Sequence, residues 1–194
     1  MHPCTRVNIT VYERSFYIGG RSTTVDVHGL STEPVELGAS IFVKVNKNII
    51  SAVNEFGLST QAYNAGSTDK LKKTLGIYNG QDWVFRGSDS GWWDMAKMLW
   101  KYGTAPIWTQ RLMKSTVGPF LKMYEKPNFP FKDLSRTVQD LGLTEATALT
   151  GSQYLNGKGI DTGEGSFAAD IVQASTRVNY AQNIDKIHGL VSNL

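Results

Sequence analysis

A short apolar run that ends in a carboxylate and is followed by paired glycines constrains this chain most strongly. Residues 7–12 are rich in β-branched and aromatic side chains, which predicts a buried strand, and Glu13 follows directly. A carboxylate at the end of a strand can accept hydrogen bonds from both ribose hydroxyls of an adenosine. The downstream run Gly19-Gly20-Arg21 could bring backbone close to a pyrophosphate and add a charge-assisted contact. The spacing alone leaves two interpretations open, a nucleotide site and an ordinary strand with a Gly-Gly turn.

A second group of small residues, Gly38-Ala39-Ser40, follows another short strand-like run. Small side chains there would let a flat ring system lie against the backbone, although tight strand-to-helix packing needs the same residues. In dinucleotide-binding units the ribose carboxylate follows a glycine-rich fingerprint by ~20 residues. Only twelve residues precede Glu13, and none of them is glycine. If Glu13 binds ribose, we therefore expect the first strand and its phosphate-binding loop to precede this sequence.

The rest of the pattern predicts an α+β chain with a strand-rich first third and a mostly helical remainder. Strand-like runs cover residues 22–28, 34–37, 75–78 and 83–85. Asn79-Gly80 between the last two runs is a strong hairpin signal. Helical spacing and capping residues predict helices over residues 48–56, 92–102, 107–124, 134–141, 167–176 and 186–194. We expect two domains, over residues 1–62 and 63–194.

Composition excludes several classes of protein. The net charge of +3 comes from dispersed residues, so we expect no nucleic-acid partner. The single cysteine, Cys4, cannot form an intramolecular disulfide. The three histidines lack the spacing of metal ligands, so we predict no metal site. Apolar runs are far shorter than the ~18 residues of a membrane-spanning helix, so we predict no transmembrane segment.

An aromatic and methionine-rich block occupies the middle of the sequence. It contains Trp83, Trp92, Trp93, Met95, Met98, Leu99, Trp100, Trp108 and Met113. We interpret it as helical core, with the wall of a pocket for a long apolar substrate as the alternative. The basic residues at positions 97, 101, 111 and 114 are expected on solvated faces.

Several of these segments resemble known flavoenzymes. Residues 11–14, 19–21 and 36–40 resemble the adenine-nucleotide half of flavin amine oxidase-type enzymes. Residues 76–80, and above all the run Arg-Val-Asn-Tyr-Ala-Gln-Asn-Ile-Asp at 177–185, resemble the prenylcysteine oxidase (prenylcysteine lyase) family. The resemblance runs in order through nearly the whole chain.

The resemblance implies an FAD-dependent thioether oxidase that acts on farnesyl- or geranylgeranyl-cysteine in prenylated-protein catabolism. Such an enzyme would use water and molecular oxygen to yield cysteine, a prenyl aldehyde and hydrogen peroxide. The implied fold is a partial Rossmann-like FAD-binding domain over 1–62. A mostly helical substrate domain with a small antiparallel sheet follows over 63–194. Family members also suggest a lysosomal or vacuolar location.

The resemblance also assigns site residues, position by position. The implied FAD contacts are Glu13 and Arg14 at the adenosine, Gly19, Gly20 and Arg21 at the pyrophosphate, and Gly38, Ala39 and Ser40 toward the flavin. The implied substrate-side residues are Asn46, Arg177, Asn179, Tyr180 and Gln182. Phe42-Val43 departs from the family pattern, because family members can carry His-Pro at these two positions. No catalytic base can be named from the sequence.

Two other functions stay open at this point. One is a related flavin amine oxidase, whose polyamine substrate would need carboxylates in the pocket. The other is an inactive, truncated lipid-binding remnant. The sequence lacks the family's N-terminal glycine fingerprint and its C-terminal segment. We therefore expect a fragment that binds FAD weakly and turns over no substrate by itself.

Overall fold

The computed structural model describes residues 8–32, 34–39, 41–60, 75–88 and 90–193. The chain forms two compact units that divide between Tyr63 and Asn64. Within the described residues, the first unit contains one β-hairpin and one α-helix, and the second contains another hairpin and six α-helices.

The first unit is small and open. Strand β1 (Thr24–Asp26) pairs antiparallel with β2 (Pro34–Glu36). Helix α1 (Lys47–Glu55) follows and ends before Gly57, whose φ of +62° suits glycine. No described side chain between residues 8 and 60 is fully buried. This part of the unit therefore has no hydrophobic core of its own, and the Rossmann-like assignment of residues 1–62 stays a prediction.

The strand expected over residues 7–12 is wrong for the described part of that run. Residues 8–12 form no strand, and Ile9, Val11 and Tyr12 are all largely exposed. A strand is stabilised by ladder hydrogen bonds and by cross-strand side-chain pairs. Among the described residues no segment pairs with this one, so its β-branched composition alone does not produce a strand.

The second unit begins with the predicted hairpin. Strand β3 (Gly76–Tyr78) pairs antiparallel with β4 (Trp83–Arg86). The Asn79 Oδ1 atom accepts hydrogen bonds from two backbone N–H groups of the turn, at 2.8 and 2.7 Å. Gly80 has a φ of +103°, which a side chain would disfavour. The hairpin predicted from Asn-Gly is confirmed, because Asn79 accepts hydrogen bonds within the turn and Gly80 adopts the positive φ.

Two longer helices follow the hairpin. Helix α2 (Gly91–Tyr102) and helix α3 (Ala105–Lys122) are separated by Gly103 at a φ of +59°. Two of the basic residues that were expected on solvated faces, Lys97 and Lys101, also form hydrogen bonds with the neighbouring strand. Lys97 Nζ donates to the Arg86 carbonyl at 2.8 Å, and Lys101 Nζ donates to the Val84 carbonyl at 3.3 Å. These contacts attach α2 to β4.

The interpretation of the aromatic block as core is wrong for most of its members. The exposed members are Trp83, Trp92, Trp93, Met95, Trp100, Trp108 and Met113. Helical spacing places side chains on one face of a helix, but it does not show whether another element covers that face. Among the described residues, nothing packs over these rings closely enough to bury them.

Four further helices complete the second unit. They are α4 (Leu134–Asp140), α5 (Thr144–Ala148), α6 (Gly151–Gly157) and α7 (Gln173–Tyr180). A π-helical stretch at Ala168–Val172 leads into α7. Asp133 caps α4, because its side chain accepts the Arg136 N–H at 3.0 Å. Thr150 and Gln153 form a capping box at the start of α6.

The helix expected over residues 186–194 is wrong. Residues 184–190 form turns, a bend and a bridge, and Val191–Asn193 form a short 3-10 turn. The carbonyls of Ile184 and Ile187 accept hydrogen bonds from the first N–H groups of α6, both at 2.8 Å. These long-range hydrogen bonds, together with short local turns, stand where a continuous helix was expected.

The core of the second unit lies beside α6. Its central cluster consists of the buried residues Leu155, Ile160, Ala168 and Ile184. No helix among the described residues is long and apolar enough to cross a bilayer.

Candidate functional site

A concavity in the first unit collects five of the predicted cofactor residues. Its volume is about 800 Å³, and two chain segments line it. The predicted residues in its lining are Gly19, Gly20, Arg21, Gly38 and Ala39. Residues that lie apart in sequence are therefore brought to one surface.

Backbone geometry explains why glycines stand at this concavity. The Ser22 N–H donates to the Gly19 carbonyl at 2.9 Å, which closes a turn through Gly20 at a φ of +58°. A Cβ on Gly38 would lie 2.5 Å from the Arg21 carbonyl oxygen, too close for any side chain. The absence of a Cβ therefore allows the two segments to approach each other.

The other residues assigned to the first unit lie elsewhere. Glu13 and Arg14 are exposed and do not line the concavity. The Glu13 Oε1 atom instead accepts the Ser15 N–H at 2.7 Å. Asn46 precedes α1, and its Oδ1 atom accepts the Val43 N–H at 2.8 Å. Ser40 lies outside the described residues.

An apolar groove runs between β3 and α7 in the second unit. Its volume is about 510 Å³. Leu75, Gly76, Ile77, Tyr78, Ile171, Ala174, Ser175, Arg177, Val178 and Asn179 line it. Within the described part of the chain, the lining contains no acidic residue and one cation, Arg177. Such a surface suits an elongated apolar ligand that has one polar or anionic end.

A polar concavity of about 790 Å³ lies on the same unit, and Arg177 lines it as well. It contains three carboxylates, from Glu164, Asp170 and Asp185. Asp170 Oδ2 accepts hydrogen bonds from Lys101 Nζ at 3.1 Å and from the Tyr102 hydroxyl at 2.9 Å. Asp185 pairs with the neighbouring Lys186 at 3.3 Å. Much of the negative charge in this concavity is therefore neutralised within the protein.

The Tyr102 hydroxyl is held in its protonated, donating form. Partial burial raises its pKa, Lys101 opposes the rise, and the hydrogen bond to Asp170 adds to it. Because the pKa rises from an already high ordinary value, Tyr102 stays neutral at physiological pH and donates to Asp170. The aspartate is thereby kept in a fixed orientation.

The Arg177 side chain is oriented by a residue that follows its helix. Arg177 Nε donates to Asn183 Oδ1 at 2.7 Å. Ala181 ends α7 in the left-handed conformation, with a φ of +54°, and its N–H donates to the Arg177 carbonyl at 2.9 Å. The chain then turns back and brings Asn183 beside the guanidinium.

The remaining predicted substrate-side residues are placed differently from one another. Asn179 lines the apolar groove, and its Nδ2 atom contacts Ser175 Oγ at 3.4 Å. Tyr180 and Gln182 are exposed and line neither the groove nor the polar concavity.

No signal in the sequence indicated that the two sides of the groove meet. Ile77 and Ile171 belong to elements far apart along the chain and meet only through the tertiary fold. Asn183, by contrast, lies inside the distinctive run at 177–185, where its role could have been suspected. Among the described residues, no group of three or more His, Cys, Asp or Glu side chains is arranged to hold a metal ion.

Comparison with known proteins identifies the family. The sequence model of the prenylcysteine lyase family matches residues 85–194, more than half of the chain. The protein therefore belongs to the prenylcysteine lyase family.

Individual relatives agree with this assignment. Prenylcysteine oxidase 1 of Bos taurus is 26% identical over 192 residues, which cover 96% of this chain and 35% of the relative. Prenylcysteine oxidase 1 of Pongo abelii is 26% identical over 183 residues, which cover 92% of this chain and 34% of the relative. Farnesylcysteine lyase of Arabidopsis thaliana is 25% identical over 192 residues, which cover 92% of this chain and 37% of the relative. The chain spans about a third of the length of these relatives.

Proposed function

We propose that this chain provides substrate- and cofactor-binding parts of an FAD-dependent thioether oxidase that cleaves prenylcysteine. The overall reaction consumes prenylcysteine, oxygen and water, and it yields cysteine, a prenyl aldehyde and hydrogen peroxide. The family assignment and the oxidase and farnesylcysteine lyase names of its relatives support this function. The observation that carries the proposal is the apolar groove between β3 and α7.

The groove has the chemistry that a prenyl chain needs. Its volume of about 510 Å³ lies within the range of roughly 300–1,000 Å³ that is usual for small-molecule sites. Ile77, Ile171 and Val178 offer aliphatic surface, and transfer of a prenyl chain from water onto that surface is favourable at roughly 25 cal/mol per Å² of apolar area. Arg177 at the same groove offers a positive charge to the amino-acid end of the substrate.

The concavity of the first unit fits the pyrophosphate of FAD. Nothing among the described residues lies within 4 Å of a Cβ built on Gly20, so a phosphate oxygen could approach its backbone. Arg21 in the same lining could neutralise the phosphate charge. We assign the pyrophosphate to Gly19, Gly20 and Arg21. When bound, FAD would supply the two-electron oxidation of the thioether and pass the electrons to oxygen.

A polyamine substrate fits the second unit less well. The described residues of the apolar groove offer no carboxylate to an ammonium group. In the polar concavity, Asp170 is engaged by Lys101 and Tyr102, and Asp185 is paired with Lys186. These pairs favour a thioether over the amine oxidase alternative.

Calorimetric binding of S-farnesylcysteine to the full chain tests the proposal. Val178→Asp places a carboxylate in the groove at a largely exposed position, where the fold should tolerate it. We expect about tenfold weaker binding, which corresponds to roughly 1.4 kcal/mol. The matched control, Val45→Asp, introduces the same charge in the first unit and should bind like the wild type.

The alternatives give different results in the same experiment. No binding to the wild type, or equal binding by Val178→Asp, would contradict the proposal. Preferential binding of spermine would support the amine oxidase alternative instead. A lipid-binding remnant would still bind farnesylcysteine, but it would bind FAD no more tightly than a flavin without phosphate.

A further inference from the structure

Arg177 is the residue that the apolar groove and the polar concavity share. A prenylcysteine whose isoprenoid chain occupies the groove must place its amino-acid end at a polar boundary of that groove. Among the residues that the structure describes, the lining of the groove contains no other cation. The position of the guanidinium therefore matches the position at which an amphiphilic ligand changes from apolar to charged.

The guanidinium is oriented but retains donors for a ligand. Its Nε–H group is directed to Asn183 Oδ1 at 2.7 Å. Among the described residues, Arg177 forms no ion pair with a carboxylate, although Glu164 and Asp185 line the same polar concavity. The two terminal amino groups can donate a parallel pair of hydrogen bonds, which is the geometry that a carboxylate accepts.

We propose that Arg177 binds the α-carboxylate of prenylcysteine and thereby fixes the direction in which the substrate lies in the groove. This inference rests on the proposed function and adds a specificity-determining contact to it. Asn183 is a positioning residue, because it acts on the substrate only through the guanidinium. A ligand that keeps the prenyl chain but lacks the carboxylate should lose this contact alone.

The test compares two ligands, S-farnesylcysteine and its methyl ester, which differ in the negative charge of the carboxylate. Binding to the full chain is measured for the wild type, Arg177→Gln, Arg177→Lys and Arg136→Gln. Arg136 is a matched control, since its side chain is exposed and pairs only loosely with Asp140, at 3.9 Å. Far-UV circular dichroism establishes that each variant is folded.

We expect Arg177→Gln to weaken binding of the acid about tenfold and to leave binding of the ester unchanged. Arg177→Lys should fall between the wild type and Arg177→Gln, because lysine keeps the charge without the planar fork. Arg136→Gln should match the wild type for both ligands.

The results that overturn the inference are distinct from those that overturn the proposed function. Equal affinity of Arg177→Gln and wild type for the acid would overturn the carboxylate contact, and so would equal losses for acid and ester. In both cases the loss of binding in Val178→Asp would still support a prenyl groove. If neither the acid nor the ester bound to the wild type, both the assignment of the groove as a prenyl site and the carboxylate contact would be overturned.

Discussion

Arg177 and Asn183 are joined across the end of α7 by a hydrogen bond of 2.7 Å from Nε to Oδ1. The next residue, Ile184, is buried in the core with Leu155. Its carbonyl also accepts the Ser152 N–H at 2.8 Å. The orientation of the guanidinium is therefore linked to the packed core of the unit through a single intervening peptide.

Removal of the Asn183 side chain should weaken substrate binding through Arg177. We expect Asn183→Ala to reduce affinity for S-farnesylcysteine about threefold to fivefold, because a freer guanidinium loses more entropy when it binds. Asn183→Asp keeps an acceptor that orients Arg177 but adds a negative charge beside the guanidinium, so it should still weaken binding of the acid. Calorimetry with the acid and the methyl ester measures both effects. An equal loss for the two ligands would instead indicate a change in the groove itself.

Asp94 should make stability depend on acid pH. Its carboxylate contacts Lys97 Nζ at 2.8 Å and accepts the Ser88 N–H at 2.8 Å. The hydrogen bond to Lys97 and then the one from the Ser88 backbone lower the pKa of Asp94 from 3.8 to about 2. A carboxyl whose pKa is lowered by folding stabilises the folded state above its ordinary pKa and loses that effect as the pH falls.

We therefore expect Asp94→Asn to unfold more easily than the wild type at pH 7, with a difference that narrows between about pH 4 and pH 2. Urea unfolding at several pH values measures it. Asp140→Asn is the control, because Asp140 is exposed and its contact with Arg136 is long, at 3.9 Å. A difference that stays constant across this pH range would show that Asp94 acts by packing rather than by charge.

Gly189 should be intolerant of any side chain. A Cβ there would lie 2.9 Å from the Ala146 carbonyl oxygen and 3.0 Å from Tyr154 Cβ. We expect Gly189→Ala to lower the free energy of unfolding by about 1–3 kcal/mol, which is typical of overpacking. Gly91→Ala is the control, because no atom of the described residues lies within 4 Å of its added Cβ. That variant should be neutral or more stable by up to about 1 kcal/mol in urea unfolding. Equal stability of the two variants would contradict the close contact at Gly189.

Local signals in the sequence predicted local structure. Asn79-Gly80 makes its hairpin and Asp133 caps its helix, because each effect depends on atoms a few residues away. The expected strand over 7–12 and the expected final helix depended on partners elsewhere in the chain. Two carbonyls of the final segment accept hydrogen bonds from the N–H groups at the start of α6, a pairing that depends on the tertiary fold.

In the candidate site too, local features could be predicted from the sequence and long-range contacts could not. The run at 177–185 indicated Arg177 from sequence, and the glycine positions indicated the concavity of the first unit. The apolar groove could not be predicted, because β3 and α7 are separated by roughly a hundred residues and meet only in the tertiary fold. A long-range meeting of this kind leaves no periodicity in the sequence.

Arg21 should distinguish phosphate recognition from general flavin binding. FAD carries a pyrophosphate and riboflavin carries none, so a cation that contacts phosphate affects only FAD. We expect Arg21→Gln to weaken FAD binding about tenfold, the loss of one charge-assisted contact, and to leave riboflavin binding unchanged. Quenching of flavin fluorescence on titration of the full chain measures both affinities, with Arg136→Gln as the exposed control.

If Arg21→Gln weakened binding of both ligands equally, Arg21 would support the fold of the concavity rather than bind phosphate. If neither ligand bound to the wild type, the five predicted cofactor residues in the lining of this concavity would be insufficient for FAD, and the cofactor assignment for the first unit would fail.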